Sequence, residues 1–167
     1  MTRDRVLVAA AAAGFAMAGA LLVKWEGTKY EAYLDTGGIP TICHGRTKNV
    51  KMGDVATEEQ CRRWLEEDMA EARSAVRMCV TAPIGKYRFA AYTSLAYNIG
   101  TQQFCNSTLV RKTNQGDYAG ACLELKRWVY DNGVYIRGLA HRRDDEFRLC
   151  TKIDFSLVYS GVTFTQH

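Results

Sequence analysis

The longest apolar run of the chain lies near its N-terminus, over residues 6–23, "VLVAAAAAGFAMAGALLV". The run has no charge and no polar stripe, whereas a buried helix of a soluble protein usually keeps a polar face. As a helix it would be about 27 Å long, just short of the ~30 Å hydrocarbon core of a bilayer. Two arginines in the preceding "MTRDR" favour a cytoplasmic N-terminus. The pattern therefore predicts export of the rest of the chain.

Two export interpretations compete for this run. Ala16-Met17-Ala18 or Ala18-Gly19-Ala20 could form a signal-peptide cleavage site, but "LLV" continues the apolar run beyond both. With eight alanines and two glycines in the run, membrane insertion is favoured by only ~2–4 kcal/mol. We therefore expect residues 1–24 to be an uncleaved, weak anchor that can leave the bilayer and pack on a protein surface. Residues 25–167 would form the folded domain.

After this run the pattern changes to a small β-rich piece and then to helices, which predicts an α+β fold. The stretches "YEAYL" and "IPTICHG" flank Thr36-Gly37-Gly38, which indicates a hairpin turn. Thr57 to Gln60 has the pattern of a helix capping box. A buried helix face behind it is predicted from residues at helical spacing: Cys61, Leu65, Met69, Ala72 and Val76.

Pro83 should close this first helix, because proline cannot continue it. Further helices are predicted over residues 84–99, after Asn106-Ser107, after Gly116-Asp117 with Leu123 and Trp128 facing inward, and over residues 137–150. The final stretch, residues 151–167, is β-like and has no predicted place in the fold.

Composition narrows the possible functions. The chain has 22 basic and 18 acidic residues, a net charge of +4, and the basic residues are scattered among the acidic ones. This pattern indicates a solvated surface of mixed charge and argues against nucleic-acid binding. A zinc site built on Cys43, His44 and Cys61 is also disfavoured, because their spacing fits no compact zinc motif. We expect neither a metal nor a cofactor.

Six cysteines stand at positions 43, 61, 79, 105, 122 and 150, and none forms a CxxC pair. An even, dispersed set favours disulfides in an exported chain. Cys79 and Cys105 flank the predicted 84–99 helix and would fix it to the next one. Cys43 with Cys61 would tie the β-rich piece to the capped helix, which leaves Cys122 for Cys150. Six cysteines allow fifteen complete pairings, and this one is our prediction.

Two carboxylates and a hydroxyl, Glu26, Asp35 and Thr41, follow the apolar run at intervals of nine and six residues. Inverting glycoside hydrolysis uses one carboxylic acid to protonate the leaving oxygen and a second carboxylate to order a water. Trp25 could supply the apolar wall that raises the pKa of the acid, and Thr41 could hold the water. The spacing alone is equally compatible with two solvated loop carboxylates.

The surrounding motifs favour the hydrolytic interpretation. "WEGTKYEAYLDTGGIPTICHGRT", "SLAYNIG", "NSTLVRKTNQGDYAGACLELKRWVY" and "RGLAHRRDDE" resemble, in order, the phage-type lysozymes (glycoside hydrolase family 24) over about residues 24–150. The weakly hydrophobic N-terminus is similar to that of the signal-arrest-release endolysins of lambdoid phages. Two features depart from the family: Arg46 follows "CHG" where many relatives have histidine, and the tail after Cys150 is long.

The resemblance implies a small β-containing lobe and a larger helical lobe with a cleft between them. It also implies that Glu26 is the general acid, that Asp35 orders water or stabilises charge, and that Thr41 positions the water. We further expect Asn98 to contact the substrate. None of these roles follows from the residue spacing by itself.

The function implied is that of a monomeric muramidase that cleaves the β-1,4 bond between N-acetylmuramic acid and N-acetylglucosamine in peptidoglycan for host cell lysis. The enzyme would be tethered to the host inner membrane facing the periplasm, inactive because Glu26 is held at the bilayer, and then released into the periplasm. Two alternatives remain open: a lytic transglycosylase, which uses one glutamate and no catalytic aspartate, and an inactive, membrane-anchored peptidoglycan-binding protein.

Overall fold

A computed structural model describes Gly14, residues 16–21, Lys24, residues 27–35 and residues 37–154. Among these, the strands are β1 (Lys29–Leu34), β2 (Pro40–Cys43), β3 (Tyr130–Asp131) and β4 (Val134–Tyr135). From residue 27 onward the α-helices are α1 (Glu58–Cys79), α2 (Lys86–Ile99), α3 (Thr101–Cys105), α4 (Thr108–Asn114), α5 (Tyr118–Glu124) and α6 (Arg137–Cys150), and a short 3₁₀ helix spans Leu125–Arg127. The β-like tail expected over residues 151–167 lies outside the described residues from position 155 onward.

The predicted hairpin is confirmed. β1 and β2 pair antiparallel with Leu34 opposite Pro40 and Tyr33 opposite Thr41. The turn closes through backbone bonds, from the Asp35 N–H to the Ile39 carbonyl at 3.1 Å and from the Gly38 N–H to the Asp35 carbonyl at 3.0 Å. The hairpin therefore presents residue 35 at its tip, directly after the last residue of β1.

Helix α1 begins with the predicted capping box. The Thr57 hydroxyl accepts the Gln60 N–H at 3.2 Å, and the Gln60 side chain accepts the Thr57 N–H at 2.7 Å. The face predicted to be buried is buried in full: Cys61, Leu65, Met69, Ala72 and Val76. The helix ends at Cys79, four residues before Pro83. Capping and apolar spacing are local signals, so both were readable from the sequence.

The later elements were predicted less completely. Ser107 and Asp117 cap α4 and α5 as expected, but α3 and the β3–β4 hairpin were not predicted. The prediction that Leu123 faces inward is wrong, since its side chain is 57% exposed. On the short helix α5 the inward positions are instead the following: Ala121, Cys122 and Glu124. Trp128 is half-buried and packs against the core.

The main core lies around α2, whose residues 90–96 are all buried. Fully buried side chains from five other elements pack on it or beside it: Val76, Phe104, Leu109, Leu125 and Cys150. Two disulfides border this core, Cys79–Cys105 and Cys122–Cys150, and a third, Cys43–Cys61, lies in a separate apolar cluster beside β2; their Cα–Cα distances are 5.4, 5.8 and 5.2 Å. These distances are normal for disulfides, and the pairing is the one predicted from the sequence.

The described residues 14, 16–21 and 24 are helical, and we refer to them as the N-terminal helical segment. Ala18 has no exposed surface and belongs to an apolar cluster with Leu65, Met69 and Ala90. Gly14 lies so close to α2 that a Cβ atom there would be 3.3 Å from the Lys86 carbonyl oxygen. Small residues thus let this segment pack closely on the helical lobe.

In the described parts of the chain, no helix combines the length and the apolarity needed to cross a membrane. Residues 1–13, 15, 22 and 23 of the predicted anchor lie outside those parts.

Candidate active site

The first candidate, Glu26, and its neighbour Trp25 lie outside the described residues, but both flanks of Glu26 are described. On one side, Lys24 is helical and its Nζ lies 2.6 Å from Asp145 Oδ2 on α6. On the other side, the Gly27 carbonyl is 2.5 Å from His44 Nδ1. Because a carbonyl can only accept, Nδ1 carries the hydrogen of this bond. The flanks of Glu26 are thus bonded to two different parts of the fold.

Asp35 lies at the tip of the β1–β2 hairpin and organises the turn. Its Oδ1 accepts the N–H groups of Gly37 at 2.8 Å and Ile39 at 2.9 Å. An aspartate that accepts a backbone N–H two residues onward forms an Asx turn. The turn thereby fixes the orientation of the carboxyl group, and its second oxygen, Oδ2, is able to accept a hydrogen bond from water.

Thr41 lies in β2 and is 97% buried, with only 3% of its surface exposed. Its hydroxyl donates to the Ile39 carbonyl at 2.9 Å, the same carbonyl that accepts the Asp35 N–H. Because the only hydroxyl hydrogen is used in this bond, the Thr41 oxygen can meet a water only as an acceptor. The Asp35 and Thr41 side chains are therefore both hydrogen-bonded to the backbone of the same residue, Ile39.

Asn98 belongs to a different network, at the C-terminal end of α2. Its side-chain oxygen accepts from Arg143 Nη2 at 2.8 Å. The preceding residue, Tyr97, donates its hydroxyl to the His44 carbonyl at 2.8 Å. The Tyr97–His44 bond connects α2 to the end of the hairpin lobe. Asn98, which is predicted to contact the substrate, is the next residue along α2.

Sequence reasoning did not identify the buried charge cluster on α6, which consists of Arg142, Arg143 and Glu146 with Ser94 of α2. The Ser94 hydroxyl donates to Glu146 Oε1 at 2.6 Å, and Arg142 Nε donates to the same oxygen at 3.3 Å. Arg143 Nε lies 3.1 Å from Oε2. Burial raises the pKa of Glu146, and the two guanidinium groups work in the opposite direction.

A signal for this cluster was present in the sequence. Glu146 follows Arg142 by four residues and Arg143 by three. Residues at these spacings are neighbours on the surface of a helix. The contribution of Ser94 was not readable, since it lies 52 residues before Glu146. The cluster fixes α6 against α2, and α6 also carries Asp145, the partner of Lys24.

Arg46 follows "CHG" and is the first of the two departures from the family expected from the sequence. Its Nη1 lies 3.2 Å from Glu67 Oε2 and 3.1 Å from Asp68 Oδ1, both on α1, and its guanidinium lies over the ring of Trp64. Burial raises the pKa of Asp68, and Arg46 opposes that shift. This arginine therefore ties the hairpin lobe to α1.

Two cavities border the helical lobe. One, of about 320 Å³, lies where residues 45–48 face α1 and α2 and includes Tyr97 in its lining. A larger one, of about 570 Å³, is lined mainly by α3, α4 and residues 124–128, and neither Asp35 nor Thr41 lines either of the two cavities. Cavity volume alone does not locate a reaction, so Asp35 and Thr41 remain the predicted site residues among those described.

Comparison with known proteins identifies the family of the chain. A family model described as phage lysozyme matches residues 23–146, and the chain belongs to this family. It is therefore a lysozyme-type glycosidase that acts on peptidoglycan. The chain is 39% identical over 126 residues to the SAR-endolysin of Enterobacteria phage P21, across 75% of this chain and 76% of that protein. The chain is a muramidase-type endolysin, which acts in host cell lysis.

Solved structures confirm the predicted lysozyme-like fold. The endolysin from Escherichia coli O157:H7 phage FAHEc1 superposes with a TM-score of 0.75 at 31% identity, covering 81% of this chain and 91% of that one. The active form of the P1 phage endolysin Lyz superposes with a TM-score of 0.70 at 27% identity, covering 80% and 82%.

Proposed function

We propose that this endolysin is a lysozyme of glycoside hydrolase family 24 that cleaves the β-1,4 bond between N-acetylmuramic acid and N-acetylglucosamine with inversion. Glu26 would protonate the departing glycosidic oxygen. A water would attack the anomeric carbon from the opposite face of the sugar, and Asp35 would take the proton that this water releases.

The observation that carries this proposal is the joint attachment of Asp35 and Thr41 to Ile39. Both side chains can accept a hydrogen bond, Asp35 through its carboxylate and Thr41 through its hydroxyl oxygen. A water that donates one hydrogen to each is held with its lone pairs directed away from them. That is the orientation an attacking water needs, and positioning of this kind supplies a large part of the rate.

Analysis of the first product tests the proposal. Purified, released protein is incubated with peptidoglycan, and the fresh muropeptides are separated and examined by NMR. We expect a reducing N-acetylmuramic acid end formed first as the α-anomer. An anhydro-muramyl end would instead identify a lytic transglycosylase, and a β-anomer would contradict inversion. Absence of any cleavage would favour the inactive peptidoglycan-binding protein.

We also propose that residues 1–24 tether the enzyme to the host inner membrane and that it is released, uncleaved, into the periplasm as an active monomer. The support is the packing of the N-terminal helical segment: alanine and glycine make it a weak membrane anchor, and they also allow its close contact with Met69 and α2.

Cell fractionation tests the tether. Full-length protein should first sediment with the inner membrane and be inactive, and collapse of the membrane potential should shift it to the soluble periplasm at unchanged mass. A soluble form shortened by about twenty residues would mean a cleaved signal peptide. Sedimentation of the released form should give the mass of one chain, 18.7 kDa.

A further inference from the structure

The chain turns back sharply just after Thr41. Ile42 and Arg46 form an antiparallel bridge, in which the Ile42 N–H donates to the Arg46 carbonyl at 2.9 Å and the Arg46 N–H donates to the Ile42 carbonyl at 3.0 Å. We call residues 42–46 the β2 turn. Because Thr41 directly precedes Ile42, a displacement of the β2 turn also displaces Thr41.

The β2 turn is attached to α1 at two places. At one, Cys43 is disulfide-bonded to Cys61, near the start of the helix. At the other, Arg46 Nη1 lies 3.2 Å from Glu67 Oε2 and 3.1 Å from Asp68 Oδ1, and the arginine side chain is only 12% exposed. The two places are about 10 Å apart along α1, since a helix rises 1.5 Å per residue.

The second attachment fixes the orientation of the turn. The disulfide alone holds one point and leaves the turn able to pivot about it, whereas a second contact about 10 Å away opposes that rotation. Arginine suits this contact because its planar guanidinium can bind carboxylates and stack on an aromatic ring at the same time. The Arg46 guanidinium does both, since it lies 5.1 Å from the centroid of the Trp64 ring. From α2, the Tyr97 hydroxyl holds the middle of the turn through the His44 carbonyl.

We infer that Arg46 is a positioning residue for the reaction. Its side chain fixes the β2 turn on α1, and the backbone pair with Ile42 passes that restraint to Thr41. Arg46 itself touches neither water nor substrate in this role. The inference rests on the proposed function of Thr41 as an acceptor for the attacking water.

The inference is tested with Arg46→Met and Arg46→Lys in purified, released, full-length protein. Initial rates on purified peptidoglycan, measured below the Tm of every variant, give kcat and KM separately. A displacement of about 1 Å can cost 10²-fold in rate. Because the disulfide and Tyr97 still hold the turn, we expect kcat of Arg46→Met to fall by about 10-fold, with little change in KM. Arg46→Lys keeps the charge and should lose less.

A purely structural role for Arg46 gives a different result. If the loss of kcat only follows the fraction of unfolded protein at the assay temperature, or if folded Arg46→Met keeps the kcat of the parent protein, the inference is overturned. Should Arg46→Met not fold, the same comparisons are made with Arg46→Lys.

Lys48→Met is the matched control. Lys48 leaves the same part of the chain two residues later and pairs with Glu71 of α1 at 3.6 Å, but these side chains are 66% and 68% exposed. An exposed pair of this kind contributes little, and it lies beyond the bridge between Ile42 and Arg46. Its loss should leave kcat unchanged. A loss as large as that of Arg46→Met would overturn the inference, because any contact with α1 would then have the same effect.

Arg46→His makes the contact dependent on pH within one protein. Position 46 faces Glu67, Asp68 and the Trp64 ring, with the Lys48–Glu71 pair beside them. Two carboxylates raise the pKa of a histidine above its ordinary value of about 6.5, so the residue is charged in acid and neutral at high pH. The ratio of its kcat to that of the parent should therefore fall as the pH rises from 5.5 to 9. A constant ratio would contradict the inference.

The double variant of Thr41→Val with Arg46→Met is the decisive comparison. Valine has the shape of threonine without the hydroxyl, and the Ile39 carbonyl keeps its bond from the Asp35 N–H. If Arg46 acts through Thr41, the double variant should have the kcat of Thr41→Val alone, within about 2-fold, because coupled residues are not additive. Losses that multiply would show that Arg46 acts elsewhere, and the inference would fall.

The same variants separate this inference from the proposed function. If Thr41→Val keeps the kcat of the parent protein, the role of Thr41 is misassigned and both fall. If Thr41→Val is slow while folded Arg46→Met is not, the inference fails and the role of Thr41 stands. Slow single variants together with a double variant no slower than Thr41→Val support both.

Discussion

Ala18 offers the sharpest test of how the N-terminal helical segment packs. It has no exposed surface and is enclosed with Leu65, Met69 and Ala90. Leucine at this position adds three carbons to a closely packed contact, and overpacking of this kind costs typically about 1–3 kcal/mol. Ala20, two residues further along the same segment, is exposed and has room for a larger side chain.

The two substitutions, Ala18→Leu and Ala20→Leu, change the hydrophobicity of the segment by the same amount. Each adds up to ~2 kcal/mol of apolar transfer free energy, so both should increase retention in the membrane to a similar extent. Only Ala18→Leu should destabilise the released protein. In a chain of this size about 1 kcal/mol corresponds to 2–4 °C in Tm, so we expect a Tm lower by about 2–12 °C for Ala18→Leu.

The assay is thermal unfolding of the two purified, released variants beside the parent protein, together with membrane fractionation before release. Ala20→Leu should stay within about 2 °C of the parent, as substitutions on the surface usually do. Equal Tm values for the two variants would refute the packing argument, because the two substitutions should differ in their effect on Tm only if Ala18 is buried and Ala20 is exposed.

Three further predictions follow from single carboxylates. Asp35→Asn should keep the hairpin, because the amide oxygen still accepts both turn N–H groups, and should lower the lytic rate by about 10²–10⁴-fold; unchanged turbidity loss would remove Asp35 from the mechanism. Glu146→Gln should lower the free energy of unfolding, measured in urea, by about 3–5 kcal/mol, because it leaves two buried arginines without their counter-charge. An unchanged free energy of unfolding would contradict the pairing of Glu146 with Arg142 and Arg143. The hydrogen bond from Lys112, with that from Arg127, lowers the pKa of Glu124 below its ordinary value. Stability from this carboxylate is therefore present near neutral pH and lost as the pH falls below about 4.5. In Glu124→Gln, the fall in Tm at acid pH should be smaller than in the parent protein. The same dependence of Tm on pH in both proteins would contradict the stabilising role of the Glu124 carboxylate.

The local features of the fold were predictable from the sequence. The Thr57 capping box, the apolar face of α1 and the β1–β2 turn depend on residues only a few positions apart. The β3–β4 hairpin was missed although its turn, Asn132-Gly133, is a strong hairpin signal; its two-residue strands are too short to show an alternating pattern.

The remaining features depend on contacts between distant parts of the chain. The orientation of α5 is fixed by the Cys122–Cys150 disulfide, which turns Leu123 outward. Ser94 meets Glu146 across 52 positions, which no local pattern reveals. The sequence predicted Asp35 and Thr41 as site residues. It did not predict that both hydrogen-bond to Ile39, because that contact depends on the geometry of the folded hairpin.

The most direct test of the central claim compares Glu26→Gln with Glu31→Gln. Glu31 lies on β1, five residues after Glu26, and is exposed, so it is a solvated carboxylate of the same type. Both purified, released variants are assayed for turbidity loss of permeabilised Gram-negative cells and for Tm. The account predicts that Glu26→Gln retains its Tm and shows no lysis, because an amide has no acidic proton to donate, while Glu31→Gln keeps the activity of the parent protein. Lysis by Glu26→Gln, with or without loss of activity in Glu31→Gln, would contradict it.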